Sequence, residues 1–373
     1  MPYSMLFSPI TINSMKLQNR IVGAPMVARD IVTLTGFVTP AYIDFILRRA
    51  KGGASMLVLG AVATDPNPYG NAGLGHDKFM PGFKDMVEQV HSQTSCRICL
   101  QLYDAIFSSV EEVGIKTINR VVDNFEKAAI RAQAIGVDAV ELHCAHSYLL
   151  AAFLSTKNKR EDEYGKDMEG RMKLPLEIIA RIREAVGKDY PIGVRINADE
   201  FIIGGNTLKQ SRVIAQRFAE AGIDYISLSV GAKTEDSQGY YDFYGLKIPM
   251  GYPPVGGYSG YRCIPPAWMP EAVNVYLAED IRSTIRKAGY TIPVMTAGRI
   301  PYPRLAEEIL QTEKADLIGL SRPLLRDPDW PLKAKEGREK EIEQCAYCNK
   351  CMESLLIQKK GHYCTFSKEL KEK

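Results

Sequence analysis

A chain of 373 residues, 46% apolar and 24% charged, is long enough for one large barrel or two ordinary domains, and it can bury a substantial core. The formal net charge is only +3, with basic residues spread among acidic ones, which excludes the basic stripe of a nucleic-acid binder. No apolar run approaches the roughly 18 residues that span a bilayer, and the opening MPYSMLFSPI has no basic region leading into a long apolar run, so a cytoplasmic protein is expected.

In chain order, ITINSMKLQNRIV (10–22) alternates around a polar turn and predicts a hairpin able to cap a barrel floor. Eight short apolar or β-branched runs follow: 23–26, 54–62, 96–102, 138–144, 191–197, 224–230, 292–298 and 315–321. Between them lie segments of helical spacing. Val122, Phe125, Ala129 and Ala132 fall on one face, and the segment from Leu208 ends on Gly222 as a helix terminus would. Eight alternating units with near-continuous apolar strands predict an α/β fold, a closed (β/α)8 TIM barrel. The rival is a doubly wound open sheet, against which the first unit carries no Gly-x-Gly-x-x-Gly turn. The stretch after the sixth run, 231–270, is rich in Gly, Pro and Tyr and predicts a long loop at the barrel mouth.

In a barrel the chemistry belongs at the C-terminal strand ends, and the unusual polar residues stand there. The third run ends in Gln101 and Asp104, the fourth in His143, His146 and Tyr148, and the fifth carries Arg195. After the seventh and eighth come Gly298 with Arg299, and Arg322, where such barrels commonly bind phosphate. That position predicts the phosphate handle of an organic cofactor; a surface ion pair is the plainer reading of either arginine. Near the end, Cys345, Cys348, Cys351 and Cys364 are spaced C-x2-C-x2-C-x12-C. The pattern suits a 4Fe-4S cluster, with zinc as the alternative; a disulfide framework is a poor reading in a reducing cell.

FSPITINSMKLQNRIVGAPM, QLYD, ELHCAHSYLLAAFLSTKNKREDEYG, GVRIN, TAGRI and GLSRPLLRDPDWP occur in order through almost the whole chain. Together they resemble the old yellow enzyme family of FMN-dependent oxidoreductases, and the cysteine cluster resembles that family's iron-sulfur branch, with 2,4-dienoyl-CoA reductase and trimethylamine dehydrogenase. The resemblance implies an FMN-binding barrel over 1–335 and a short C-terminal 4Fe-4S segment over 336–373. It places Pro25 and Met26 against the flavin ring, Gln101 on its pyrimidine edge and Arg195 near N1 and O2. Gly298, Arg299 and Arg322 would hold the phosphate. His143 and His146 would grip a substrate carbonyl oxygen, and Tyr148 would protonate the substrate carbon.

The activity so implied is an ene-reductase acting on a carbon–carbon double bond conjugated to a carbonyl or thioester. The alternatives are a dehydrogenase of amines or alicyclic compounds and an electron-transfer subunit of a larger flavoprotein complex. NADH, NADPH, a separate flavoprotein or a ferredoxin-type carrier are the candidate electron donors, a lysine-rich end (Lys359, Lys360, Lys368, Lys371, Lys373) suggesting an acidic carrier. Neither nucleic acid nor membrane is expected as a partner, and self-association is compatible with the sequence. Three features depart from the family. Asp104 stands where relatives have histidine, SVGAKTED after the sixth run lacks the dienoyl-CoA reductases' catalytic histidine, and no cysteine follows GAPM closely to attach a flavin covalently.

Overall fold

The computed structural model describes residues 2–26, 35–66, 68, 71–104, 109–231, 257–352 and 364–366. Two short antiparallel strands, β1 (Ile10–Ile12) and β2 (Met15–Leu17), precede eight parallel ones. These are β3 (Ile21–Gly23), β4 (Met56–Ala63), β5 (Arg97–Tyr103), β6 (Ala139–Cys144), β7 (Ile192–Asn197), β8 (Tyr225–Ser229), β9 (Val294–Ala297) and β10 (Leu317–Leu320). Each neighbour pairs in sequence order, and β10 pairs back onto β3, closing the barrel. The open-sheet rival is thereby excluded.

The first barrel strand lies earlier than the sequence reading placed it. Ile21 and Val22 belong to the barrel, opposite Ile318 and Gly319, while Pro25 and Met26 follow the strand. The polar Gln18–Arg20 segment separates the hairpin from β3, so the alternation that looked like one hairpin is a hairpin followed by a buried strand. The hairpin does close the floor. Ile12, Met15 and Leu17 pack with Val22, Met56, Val58, Cys99, Ala139, Tyr225, Met295 and Leu317, all inside the N-terminal half of the barrel.

Helices α1 (Pro40–Lys51), α2 (Met80–Gln93), α3 (Ile115–Ala134), α4 (Leu149–Leu154), α5 (Met168–Val186), α6 (Leu208–Glu220), α7 (Gly257–Cys263), α8 (Val275–Lys287), α9 (Pro303–Gln311), α10 (Arg322–Arg326) and α11 (Trp330–Lys335) complete the described helices. In α3 the predicted face, Val122, Phe125, Ala129 and Ala132, is buried, as periodicity requires. Beyond α6, Gly222 takes φ +78°, a left-handed backbone that glycine adopts at little steric cost.

Three aspartates tie the strand starts together. Asp138, Asp224 and Asp316 each accept from a backbone N–H opening the preceding strand, those of Ile98, Ile192 and Val294 at 2.8, 2.7 and 2.9 Å. Each also meets arginine: Arg97 on Asp138, Arg183 on Asp224, Arg282 and Arg286 on Asp316. A carboxylate satisfying a strand's first amide fixes register at the floor and leaves the opposite rim to chemistry. Among the described residues no helix is long and apolar enough to cross a membrane.

Candidate active site

All eight barrel strands, or the residues just after them, line one cavity of about 160 Å³ at the C-terminal face. Pro25 and Met26 follow β3, Gly60 and Ala61 come from β4, and Gln101 from β5. His143, Arg195 and Ser229 come from β6, β7 and β8, Gly298 and Arg299 follow β9, and Gly319 to Arg322 end β10 and open α10. Of the non-cysteine residues singled out at the strand ends, all but Asp104 line this cavity, including His146 and Tyr148 from the turn into α4.

Below the cavity lies a buried polar layer. The Glu141 side chain accepts from Gln101 Nε2 at 2.7 Å and from the Tyr225 hydroxyl at 2.8 Å. Burial pushes its carboxyl above the usual range while the nearby Arg195 charge pulls it back. Arg195 donates through Nη1 and Nη2 to Ser227 and Ser229 Oγ, both at 3.2 Å, and its buried Nε has no partner among the described residues. Burial lowers its pKa and Glu141 opposes that, so the guanidinium remains a cation at the barrel centre. A buried N–H left open at a cavity wall is a donor waiting for an acceptor on a ligand.

At the rim His143, Tyr148 and His146 form an aromatic group. The His143 ring lies 5.2 Å from that of His146 and 4.8 Å from that of Tyr148. His146 Nε2 is 2.6 Å from Ser229 Oγ. Both His146 (φ +62°) and Ser147 (φ +58°) take left-handed backbone, a costly turn for non-glycine residues. The turn carries the chain from β6 to Tyr148, which precedes α4 and stands edge-on to Tyr103 at 5.5 Å. Tyr103 in turn accepts a short hydrogen bond from Asn71. Asp104 is buried at the end of β5, apart from the residues that line the cavity. The Asn158 to Gly165 run binds itself: Asn158 Nδ2 donates to Phe153 O and Tyr164 O, and Arg160 pairs with Asp162, shaping the loop after α4.

At the other end Arg299, itself at φ +51°, donates to the carbonyls of Pro266 and Ala267, and its buried Nε has no partner among the described residues. Gly298 has φ +115°, and a Cβ there would stand 2.7 Å from Asn274 Nδ2. Only glycine suits that turn. Arg322 donates to Pro265 O at 2.9 Å and to Asn349 Oδ1 at 2.5 Å.

A second cavity, of about 240 Å³, lies against Arg322 and is lined by Cys345, Cys348, Cys351 and Cys364. None of the four is joined in a disulfide among the described residues. Burial raises the Cys345 thiol and pushes that of Cys351 up to about 12. Among the described residues no three His, Cys, Asp or Glu side chains form a group able to hold a metal ion as they stand.

Several contributors escaped the sequence reading. Gly60 matters by what it omits: a Cβ there would meet Gln101 Oε1 at 2.7 Å and Pro25 Cβ at 3.0 Å. Cys263, Asn274 and Tyr347 also line the cavity, although none lies in a motif that marks them. Glu141 sits in the same ELHC run as His143, and an acidic residue inside an otherwise apolar strand was the available signal. The Gly- and Tyr-rich stretch falls largely outside the described residues, as do the lysines at the chain end.

A family model described as "NADH:flavin oxidoreductase / NADH oxidase family" matches residues 5–113, 105–237 and 269–341. An NADH oxidase of Thermoanaerobacter brockii is 36% identical over 92% of this chain and 52% of its own length. A cinnamate reductase of Clostridium sporogenes is 27% identical over 94% of this chain and 56% of its own. The chain thus spans about half the length of each. A solved complex of 2-naphthoyl-CoA reductase with 2-naphthoyl-CoA superposes with a TM-score of 0.84 at 24% identity, covering 99% of this chain and 58% of that one.

Proposed function

The chain belongs to the NADH:flavin oxidoreductase / NADH oxidase family, and on that premise we propose that it is an FMN-dependent ene-reductase acting on a double bond conjugated to a carbonyl or thioester. The observation that carries the reading is the His143–His146–Tyr148 group at the rim of a cavity whose floor holds Gln101 and Arg195. The unpartnered Nε of Arg195 and Arg299 and the open wall at Gly60 suit a flat heteroaromatic ring at one end and an anionic tail at the other. FMN, when bound, supplies hydride for the β-carbon of the alkene.

The chain's own residues do the rest. Gln101, held through its amide nitrogen by Glu141, turns its carbonyl oxygen away from that carboxylate to accept from the pyrimidine edge, and Arg195 supplies positive charge beside it. Gly298 lets the backbone approach the phosphate that Arg299 and Arg322 neutralise. His143 and His146 donate to the substrate carbonyl oxygen, where negative charge grows as hydride arrives. Tyr148 gives the proton to the α-carbon. Ser229, 2.6 Å from His146, orients that ring.

The four cysteines around the second cavity are proposed as ligands of a 4Fe-4S cluster, held by a C-terminal segment (336–373) distinct from the FMN barrel (1–335). Thiolates spread around a cavity suit a cubane better than a single ion. Electrons would pass between this segment and the flavin, from NADH, NADPH or a carrier protein. Cinnamate-type acids, whose double bond is conjugated to a carboxyl group, are the substrate class to try first, after the similar cinnamate reductase.

Replacing Tyr148 with Phe tests the assignment. Reoxidation of the reduced enzyme by a conjugated alkene should slow by about 10²- to 10⁴-fold, the usual worth of a positioned acid, with far less effect on flavin reduction. In D2O the product should carry deuterium at the α-carbon. Unchanged reoxidation in Tyr148→Phe, or flavin reduction by amines with no response to any alkene, would contradict the reading.

A further inference from the structure

The turn between Cys345 and Cys348 does more than space two thiols. It carries Tyr347 away from the cysteine cavity and into the wall of the active-site cavity, where the residue is only 4% exposed. There it lies between two guanidinium groups, that of Arg299 4.8 Å and that of Arg322 4.7 Å from its centroid. Its own backbone takes φ +50° and its amide donates to Cys345 Sγ at 3.4 Å, so the turn is specific in shape. Asn349, fully buried, fastens the same turn by accepting from Arg322 and donating to Ile264 O at 3.1 Å.

Two atoms in this arrangement are unaccounted for. Among the described residues the buried Tyr347 hydroxyl has no hydrogen-bond partner, and neither does Arg299 Nε on the residue it stacks against. Leaving a buried hydroxyl unmade costs free energy unless something else accepts from it. Two open donors beside two guanidinium groups describe an acceptor that is anionic and rich in oxygen, a phosphate monoester.

We propose that Tyr347 is a phosphate-binding residue: carried into the flavin cavity by the cysteine turn, its hydroxyl donates to the phosphate of the bound cofactor alongside Arg299 and Arg322. The inference rests on the FMN reading above. Its consequence is that the cysteine segment and the cofactor share a wall, so ordering one favours the other, and the coupling is reciprocal.

The test is to titrate the full-length apoprotein with FMN and with riboflavin, which lacks the phosphate, following flavin fluorescence, for the wild type and for Tyr347→Phe. Phenylalanine keeps the stacked ring and removes only the hydroxyl. A hydrogen bond to a charged group corresponds to a loss of about tenfold to about a hundredfold in FMN affinity. Riboflavin affinity should stay the same, which also shows that the variant is folded. Equal losses for both flavins, or no loss for FMN, would overturn the assignment. If the wild type binds neither flavin, the FMN reading itself fails and this inference with it; wild-type binding of FMN with no effect of the variant removes Tyr347 alone.

Discussion

Glu141 is fully buried beneath the cavity and accepts two hydrogen bonds, from Gln101 and from Tyr225. It therefore fixes which end of the Gln101 amide faces a ligand, and it offsets part of the Arg195 charge. Removing its charge in Glu141→Gln should make the cavity more positive where a reduced flavin gathers electrons, raising the midpoint potential by about 30 mV or more, roughly 1.4 kcal/mol for a two-electron couple. The sign of the pH dependence follows. Burial pushes the Glu141 carboxyl up against the opposing pull of Arg195. As pH falls through that raised value the wild type becomes neutral there and resembles the variant, so the gap should be widest at high pH and close as pH falls. Potentiometry across pH checks this; a gap that is absent, or constant with pH, would show that Glu141 acts only by packing.

Among the elements, the strand starts bear on stability and the strand ends on chemistry. Asp316 lies nearly buried and serves Arg282, Arg286 and the Val294 amide at once. Asp316→Ala should cost about 1–3 kcal/mol, because the amide opening β9 is left unsatisfied. Asp280→Ala, which breaks a partly exposed pair with Arg212, should cost under about 1 kcal/mol. Urea denaturation of the two variants makes the comparison, and equal losses would refute the distinction. The strands themselves were readable in the sequence because both faces of a barrel strand are buried, which writes them as apolar runs such as MLVLGAVA. The first was misplaced for the same reason. Ile21 and Val22 are only two residues of apolar signal beside a hairpin of equal hydrophobicity, while GAPM reads as a strand although its proline and methionine already belong to the site.

At the scale of the whole molecule, the barrel brings residues from eight strands to one cavity, and the segment after α11 sets a second cavity against it across Arg322. Residues carrying charge or a ring nitrogen at strand ends, such as Arg195 and His143, were legible because such groups are rarely left inside without purpose. Gly60 and Tyr347 were not, since one acts through an absent side chain and the other through a contact made far along the chain. If the cysteine segment holds its cluster, anaerobically purified protein should contain about four iron atoms per chain, and Cys348→Ala should lose most of them while the barrel stays folded. Zinc in place of iron by elemental analysis would contradict the cluster assignment. The central claim is tested most directly by anaerobic stopped-flow spectroscopy: the enzyme is reduced, then mixed with cinnamate, an enone or an enoyl-CoA. The account predicts rapid return of the oxidised flavin spectrum with at least one of them and formation of the saturated product. A flavin that stays reduced against all three, yet is reoxidised by an electron-carrier protein, would contradict it and identify the chain as an electron-transfer subunit.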